Sequence, residues 1–176
     1  MNWDAVGAIG EVVGALAVVI SIIYLAAQIR QNTKAARLDA EREVGLYYAN
    51  ILREGAHTDM PGLYLRGADG LLELSEEDTA KFGFWVLGFL RFIQYAFDQR
   101  QEGNLSDSTW ESIELGFKTQ FQAPGVQEIW QVRGNTFKQS FRNYVDTLQI
   151  DESYEPPSVA FREILSEKKD DASSGF

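Results

Sequence analysis

The feature that most constrains this chain is an apolar run over residues 5–29, in which Glu11 is the single charged residue. A helix of this length, at about 1.5 Å per residue, is roughly 37 Å long and can cross a hydrocarbon layer about 30 Å thick. A secretory signal peptide is the alternative, but such a peptide begins with basic residues, whereas Asp4 and no Lys or Arg precede this run. We therefore predict one transmembrane helix over residues 1–29, with Trp3 near the headgroups.

Three basic residues, Arg30, Lys34 and Arg37, follow the apolar run, and none precedes it. Because positive charge is retained on the cytoplasmic side, this asymmetry predicts an N-terminus outside and a cytoplasmic C-terminal domain. The three residues share one helix face, where they can contact anionic lipid headgroups. A simple stop-transfer signal explains them equally well.

Small residues recur along one side of the predicted span at intervals of three and four. This small-residue stripe consists of Gly7, Gly10, Gly14, Ala17 and Ser21. Glycine lowers helix propensity, and within a bilayer the compensating gain is close approach between two helices. With one span per chain the second helix belongs to another chain, so the stripe predicts a homo-oligomer, and its spacing continues beyond the span to Leu38. A lone anchor, or a helix that docks on a different protein, are the alternatives.

Glu11 lies beside Gly10, within the predicted span, where an isolated charge is energetically costly. In an oligomer its carboxyl group would be either protonated and hydrogen-bonded, or ionised beside a water-filled path that attracts cations. The alternative is a position near the outer interface, from which the side chain reaches water.

The remaining chain predicts an all-α fold, because no alternating strand pattern interrupts its helical periodicity. One helix is expected from about Trp3 to Arg53, so that residues 30–55 continue the span toward a helical bundle over residues 56–150. Ser75 and Ser106 are typical helix N-caps. The segment after Ser75 is apolar but contains too many charges for a second span, and we expect it to form a buried central helix. Gly55 and a loop through Pro61 are expected to end the long helix, and a short helical turn over residues 63–66 follows, which Gly67 and Gly70 break. A helix capped by Ser106 runs through Phe121, and a last helix over residues 129–148 has a kink at Gly134. A partly disordered tail over residues 151–176 completes the prediction.

Chemically active residues are scarce. The chain contains no cysteine and one histidine, His57 in a loop, and it has no phosphate-binding, dinucleotide-binding or metal-binding motif. We therefore expect no enzymatic activity, no cofactor and no metal. The net charge of −10 argues against nucleic acid as a partner.

The aromatic residues of the predicted bundle have two interpretations. Trp85, Trp110 and Trp130 are expected in the core, although a pocket for a lipid or pigment is an alternative. Arg91 lies among apolar residues, so we expect it to be buried and paired with Glu111 or Glu114.

The opening segment resembles that of an uncharacterised group of small bacterial membrane proteins. The shared features are Trp3-Asp4, a glycine-rich span with one glutamate, and the exit sequence QIRQNTK, and the segments PGVQEIW and FRNYVDTL are similar to the C-terminal halves of that group. The resemblance implies a bacterial inner-membrane protein with a helical cytoplasmic domain and carries over no catalytic residue.

Three functions are compatible with these features. The first is a homo-oligomeric membrane-anchored scaffold or assembly protein whose helical domain contacts partners. The second is a small ion- or proton-conducting oligomer with Glu11 in its pathway. The third is an accessory subunit of a larger complex, in which the small-residue stripe contacts another membrane protein.

Overall fold

A computed structural model describes residues 3–56 and 59–149 together with Val159, and the chain is all-helical over those residues. A 3-10 turn, Gly134–Thr136, lies between the last two of six α-helices. The helices are α1 (Trp3–Gly55), α2 (Met60–Asp69), α3 (Glu76–Gln101), α4 (Asp107–Phe121), α5 (Pro124–Arg133) and α6 (Gln139–Val145).

Helix α1 is a single continuous element of 53 residues, and it ends within two residues of the predicted boundary. No proline interrupts it, and its only glycine after the apolar run, before the terminal Gly55, is Gly45. The described side chains of the N-terminal two thirds are exposed, whereas the last third packs on the bundle with Ala40 and Val44 buried. The same helix therefore has a longer free part and a shorter docked part.

Helix α3 is the buried centre of the bundle, as the sequence predicted. The Ser75 hydroxyl accepts a hydrogen bond from the Asp78 N–H at 3.1 Å, and three acidic residues in the first turn favour the helix N-terminus. Phe82, Leu90 and Phe92 are fully buried. Because α1, α2, α4 and α5 all pack against α3, its side chains set the relative positions of the other helices.

Aromatic rings fill the space between α3 and the C-terminal helices. Phe97 packs against Trp110 at 6.0 Å between ring centroids, and Phe117 lies 6.1 Å from Phe141. Trp110 is buried, while Trp85 and Trp130 are partly buried against the same core. The core prediction is confirmed for Trp110, whereas Trp85 and Trp130 pack at the edge of the core.

Helix α2 is longer than the predicted turn. Pro61 stands in its first turn, where the missing proline N–H costs nothing, so this proline starts a helix instead of ending one. Gly67 does not end it either, because the Phe82 ring packs against the position where a side chain would stand. The helix ends at Gly70, whose φ of 140° is unfavourable for residues with a side chain.

The last predicted helix is divided in two. Helix α5 ends at Arg133, and α6 begins five residues after Gly134. Gly134 lies against the Trp130 ring, so the chain turns there without a side chain of its own. The predicted kink is therefore a complete break. His57 and the predicted tail, apart from Val159, lie outside the described residues.

The contact between α2 and α5 yields a first prediction. A methyl group at Gly125 would collide with the Gly67 carbonyl oxygen and the Phe82 ring, whereas a methyl group at Gly116 on α4 meets nothing within 4 Å. We expect Gly125→Ala to lower the free energy of unfolding by at least about 2 kcal/mol, and Gly116→Ala to leave it equal or raise it by up to about 1 kcal/mol. Urea unfolding of the full chain in detergent, followed by tryptophan fluorescence, measures both. Equal effects of the two substitutions would contradict this packing.

Candidate self-association face and adjoining groove

The apolar part of α1 is long enough to cross a membrane by length and composition, and none of its most apolar 18-residue window is buried in the structure. Ile20 and Ile23 are 65% and 64% exposed. Removing a Val, Leu or Ile side chain of this kind from water is worth about 1.5–3 kcal/mol. A surface this large and this apolar is compatible with a bilayer, and the described part of the bundle does not cover it.

The residues of the small-residue stripe all lie on this free part of α1 and are all exposed. A methyl group added to Gly7, Gly10 or Gly14 would meet nothing within 4 Å. Ser21 donates its hydroxyl proton to the Ala17 carbonyl at 2.8 Å, which satisfies that polar group within the helix. Among the residues that the structure describes, no contact requires small residues at these positions.

Glu11, Arg30, Lys34 and Arg37 are exposed on the same helix. None of them forms an ion pair with any residue in the described part of the chain. Glu11 is adjacent to Gly10 and lies to one side of the stripe. The structure thus leaves all four charged groups available to molecules outside the chain.

The docked part of α1 is held on α3 by apolar packing and by rings. The Tyr47 and Tyr48 rings both stack on the Phe92 ring, with centroids 5.5 and 5.6 Å from it. The Tyr95 hydroxyl donates to the Glu43 carboxylate at 2.5 Å. This combination fixes the direction in which α1 leaves the bundle.

A groove of about 530 Å³ runs between α1 and α4, with α3 as its floor. The floor is aromatic and includes Trp85 and Phe89, while the α4 wall is formed largely by small residues at intervals of four, Ser108, Ser112 and Gly116. A second groove of about 420 Å³ adjoins it under α2 and shares Trp85. The Trp85 indole N–H at this junction is buried and has no hydrogen-bond partner among the described residues.

This groove was not predicted from the sequence. Its α1 wall includes Gly45 and Leu52, and its α4 wall includes Ser112 and Gly116. The regular spacing of small residues on α4 was a usable signal. The groove depends on α1 and α4 packing on the same helix, α3, and the spacing of residues along the sequence does not show that tertiary contact.

The prediction for Arg91 was wrong. Its side chain is exposed, its guanidinium lies 4.0 Å from the centroid of the Phe137 ring, and it donates to the Thr136 carbonyl and hydroxyl oxygens at 3.1 and 3.2 Å. The Arg91 guanidinium stays in contact with water and so needs no carboxylate partner. The Phe137 ring and the Thr136 carbonyl are sufficient.

The expected carboxylate partner of Arg91 is engaged elsewhere. Glu114 accepts a hydrogen bond from the Tyr144 hydroxyl at 2.8 Å and pairs with Lys118 at 3.2 Å. Burial and the hydrogen bond to Glu114 raise the pKa of Tyr144, so this phenol stays protonated.

Metal-binding chemistry is not evident in the described ranges, where no group of three His, Cys, Asp or Glu residues is close enough to hold a metal ion. Comparison with known proteins finds no matching family model, no matching curated protein and no matching solved structure. The function proposed below is therefore inferred from the geometry of the described residues alone.

The hydrogen bond between Tyr95 and Glu43 yields a pH-dependent prediction. It is the main reason that the pKa of Tyr95 rises from 10.0 to about 12, and partial burial adds to the rise. Because the pKa of Tyr95 is raised in the folded state, the hydrogen bond from its protonated hydroxyl to Glu43 stabilises docking fully below pH 10. This contribution is lost as the pH rises through about 12. We expect α1 docking to weaken over that range, and Tyr95→Phe to remove this part of the dependence.

Absorbance titration of tyrosinate, taken as the difference between the chain and Tyr95→Phe, measures the Tyr95 pKa directly. Glu43→Gln is expected to return the pKa toward 10, whereas Glu54→Gln, on an exposed part of the same helix, is expected to leave it near 12. A Tyr95 pKa that is unchanged by Glu43→Gln would contradict the assigned cause.

Proposed function

We propose that this chain is a membrane-anchored scaffold that self-associates through the small-residue stripe of α1 and presents its helical bundle to partners. The observation that carries the proposal is that none of the most apolar window of α1 is buried and that the glycines of its small-residue stripe contact nothing among the described residues. In a bilayer the large Val, Leu and Ile side chains contact lipid, and the small residues allow a second helix to approach closely.

The proposed orientation follows from the basic residues after the apolar part. Arg30, Lys34 and Arg37 are exposed and form no ion pair in the part of the chain that the structure describes. In this proposal Arg30 and Arg37 contact anionic headgroups on the cytoplasmic side of a bacterial inner membrane, Lys34 adds positive charge to the same side, and the N-terminus lies outside. The bundle is then held in the cytoplasm by an unbroken helix.

A non-enzymatic role fits this arrangement. The structured parts of the bundle consist mainly of apolar and aromatic packing, and the proposal assigns no catalytic residue and no cofactor. A rigid exit helix and an acidic bundle surface suit a protein whose task is to position other proteins at the membrane.

A second candidate is ion or proton conduction, which the position of Glu11 favours. Its carboxyl group is exposed beside Gly10 and has no ion pair with a described residue. In an oligomer around the stripe, one such carboxyl group from each copy would lie near the helix contact. This candidate predicts ion or proton flux in liposomes that Glu11→Gln abolishes; undiminished flux in that variant would exclude it.

Two alanines provide a matched test of self-association. Ala17 belongs to the stripe and Ala15 faces away from it, and both are exposed on the same turn of α1. We expect Ala17→Ile to reduce the association of labelled chains in lipid vesicles at least about tenfold, because the larger side chain separates the two helices. Ala15→Ile is expected to leave association unchanged, since its side chain contacts lipid.

Fluorescence energy transfer between donor-labelled and acceptor-labelled chains, measured as the vesicles are diluted with lipid, gives the association constant. Gly14→Ile is a second disruptive variant, and the space around Gly14 means that it does not disturb the bundle. Equal association of the Ala17→Ile and Ala15→Ile variants would contradict the proposed face. Association only with a foreign subunit would instead support an accessory role in a larger complex.

A further inference from the structure

Beyond its apolar part, α1 has a second face without a partner. The stripe's three-and-four spacing continues through Leu38, Arg42, Gly45, Ala49 and Leu52, and all five residues are exposed. Leu38 and Leu52 are 57% and 55% exposed. We refer to these five residues as the exit face.

The exit face differs from the face that docks on the bundle. Docking uses Ala40 and Val44, which are buried, and Ile51, which packs against the core. At 3.6 residues per turn, the two faces are separated by roughly a third of a turn. A helix that contacts the exit face therefore does not compete with α3.

There is space for such a helix. A methyl group at Gly45 would meet nothing within 4 Å, and Gly45 and Leu52 also border the groove between α1 and α4. The facing wall on α4 includes Ser112 and Gly116, whose small size leaves the mouth of the groove open. A second helix can therefore approach α1 to the distance found in coiled coils, about 8–10 Å between axes.

The charges beside the exit face are complementary between two copies. Lys34 lies on one side of the face and Asp39 on the other. In a parallel, in-register helix pair, the residue just before a contact position (here Lys34, before Ala35) lies near the residue five places later in the other chain. Lys34 of one copy therefore meets Asp39 of the second copy, and the symmetry gives two such pairs.

The charged groups beside the exit face form no ion pair among the residues that the structure describes. Neither Lys34, Asp39 nor Arg42 forms an ion pair with a residue of the described part of the chain. Arg42, on the exit face itself, faces Arg42 of the second copy, and Glu41, which accepts a hydrogen bond from the Ser106 N–H of its own chain at 3.4 Å, lies beside it, so the charge argument depends on Lys34 and Asp39. Such pairs contribute little free energy at a surface, but they select the parallel register.

We infer that a second copy of this chain packs its α1 against the exit face, parallel and in register, from Leu38 to Leu52. The contact extends about 21 Å along the helix axis at about 1.5 Å per residue. The second helix lies beside the mouth of the groove between α1 and α4 and narrows it. This inference rests on the proposed self-association, which places two α1 helices side by side in the same direction, and it adds the register and the residues of the contact outside the membrane.

Disulfide cross-linking tests the register, because the chain contains no natural cysteine. Ala35 and Ala49 occupy positions where the Cα atoms of two parallel helices come within about 6 Å, which permits a disulfide bond. Ala36 and Asn50, their immediate neighbours, point away from the contact, and all four residues are exposed. In oxidised native membranes we expect Ala35→Cys and Ala49→Cys to form cross-linked dimers at least about tenfold more than Ala36→Cys and Asn50→Cys.

Charge exchange tests the pairing. In the Ala49→Cys background, Lys34→Asp and Asp39→Lys are each expected to reduce cross-linking, because like charges then face each other. The double variant Lys34→Asp/Asp39→Lys restores opposite charges and is expected to restore cross-linking. A double variant as weak as either single variant would overturn the proposed pairing.

The two proposals fail in different ways. Energy transfer between unmodified chains, without preferential cross-linking at positions 35 and 49, would overturn the exit-face contact and leave self-association in the membrane standing. Absence of both energy transfer and cross-linking would overturn both. Preferential cross-linking at positions 36 and 50 would overturn the register while supporting association.

Discussion

The structure depends on one constraint: a single uninterrupted helix, α1, has both an exposed apolar part and a part that is buried against the bundle. The free part of α1 exposes an apolar surface that is unstable in water, and the docked part is buried against α3. Because no loop separates the two parts, the direction of the bundle follows from the direction of the helix. An interruption between them would release the bundle from that geometry.

Packing on α3 fixes the orientation of the bundle relative to the docked part of α1. Rings from α1 stack on Phe92, the Tyr95 hydroxyl holds Glu43, and aromatic contacts connect α3 to α4 and α6. Packed interiors of this kind are close to rigid. A second α1 beside the first would therefore align two whole bundles, which is the property that a scaffold requires.

Much of the fold could be predicted because it depends on local signals. The lack of proline in α1, the Ser75 cap and the apolar periodicity of α3 each indicated the element that the structure contains. The errors arose where tertiary contacts override local preference. Gly67 stays helical because Phe82 covers it, and Arg91 needs no carboxylate because Phe137 and Thr136 lie beside it.

One part of the candidate site could be predicted from the sequence and the other could not. The small-residue stripe could be read from spacing alone, since a straight helix places residues three and four apart on one side. The groove between α1 and α4 could not, because it exists only where two helices that are distant in sequence pack on the same third helix.

The most direct test of the central claim is the mass of the unmodified protein released gently from its own membrane into lipid nanodiscs, measured by native mass spectrometry. The account predicts a single species at an integer multiple of 19.8 kDa and of at least twice that mass. A species at 19.8 kDa alone would contradict self-association and leave the small-residue stripe without the partner proposed for it.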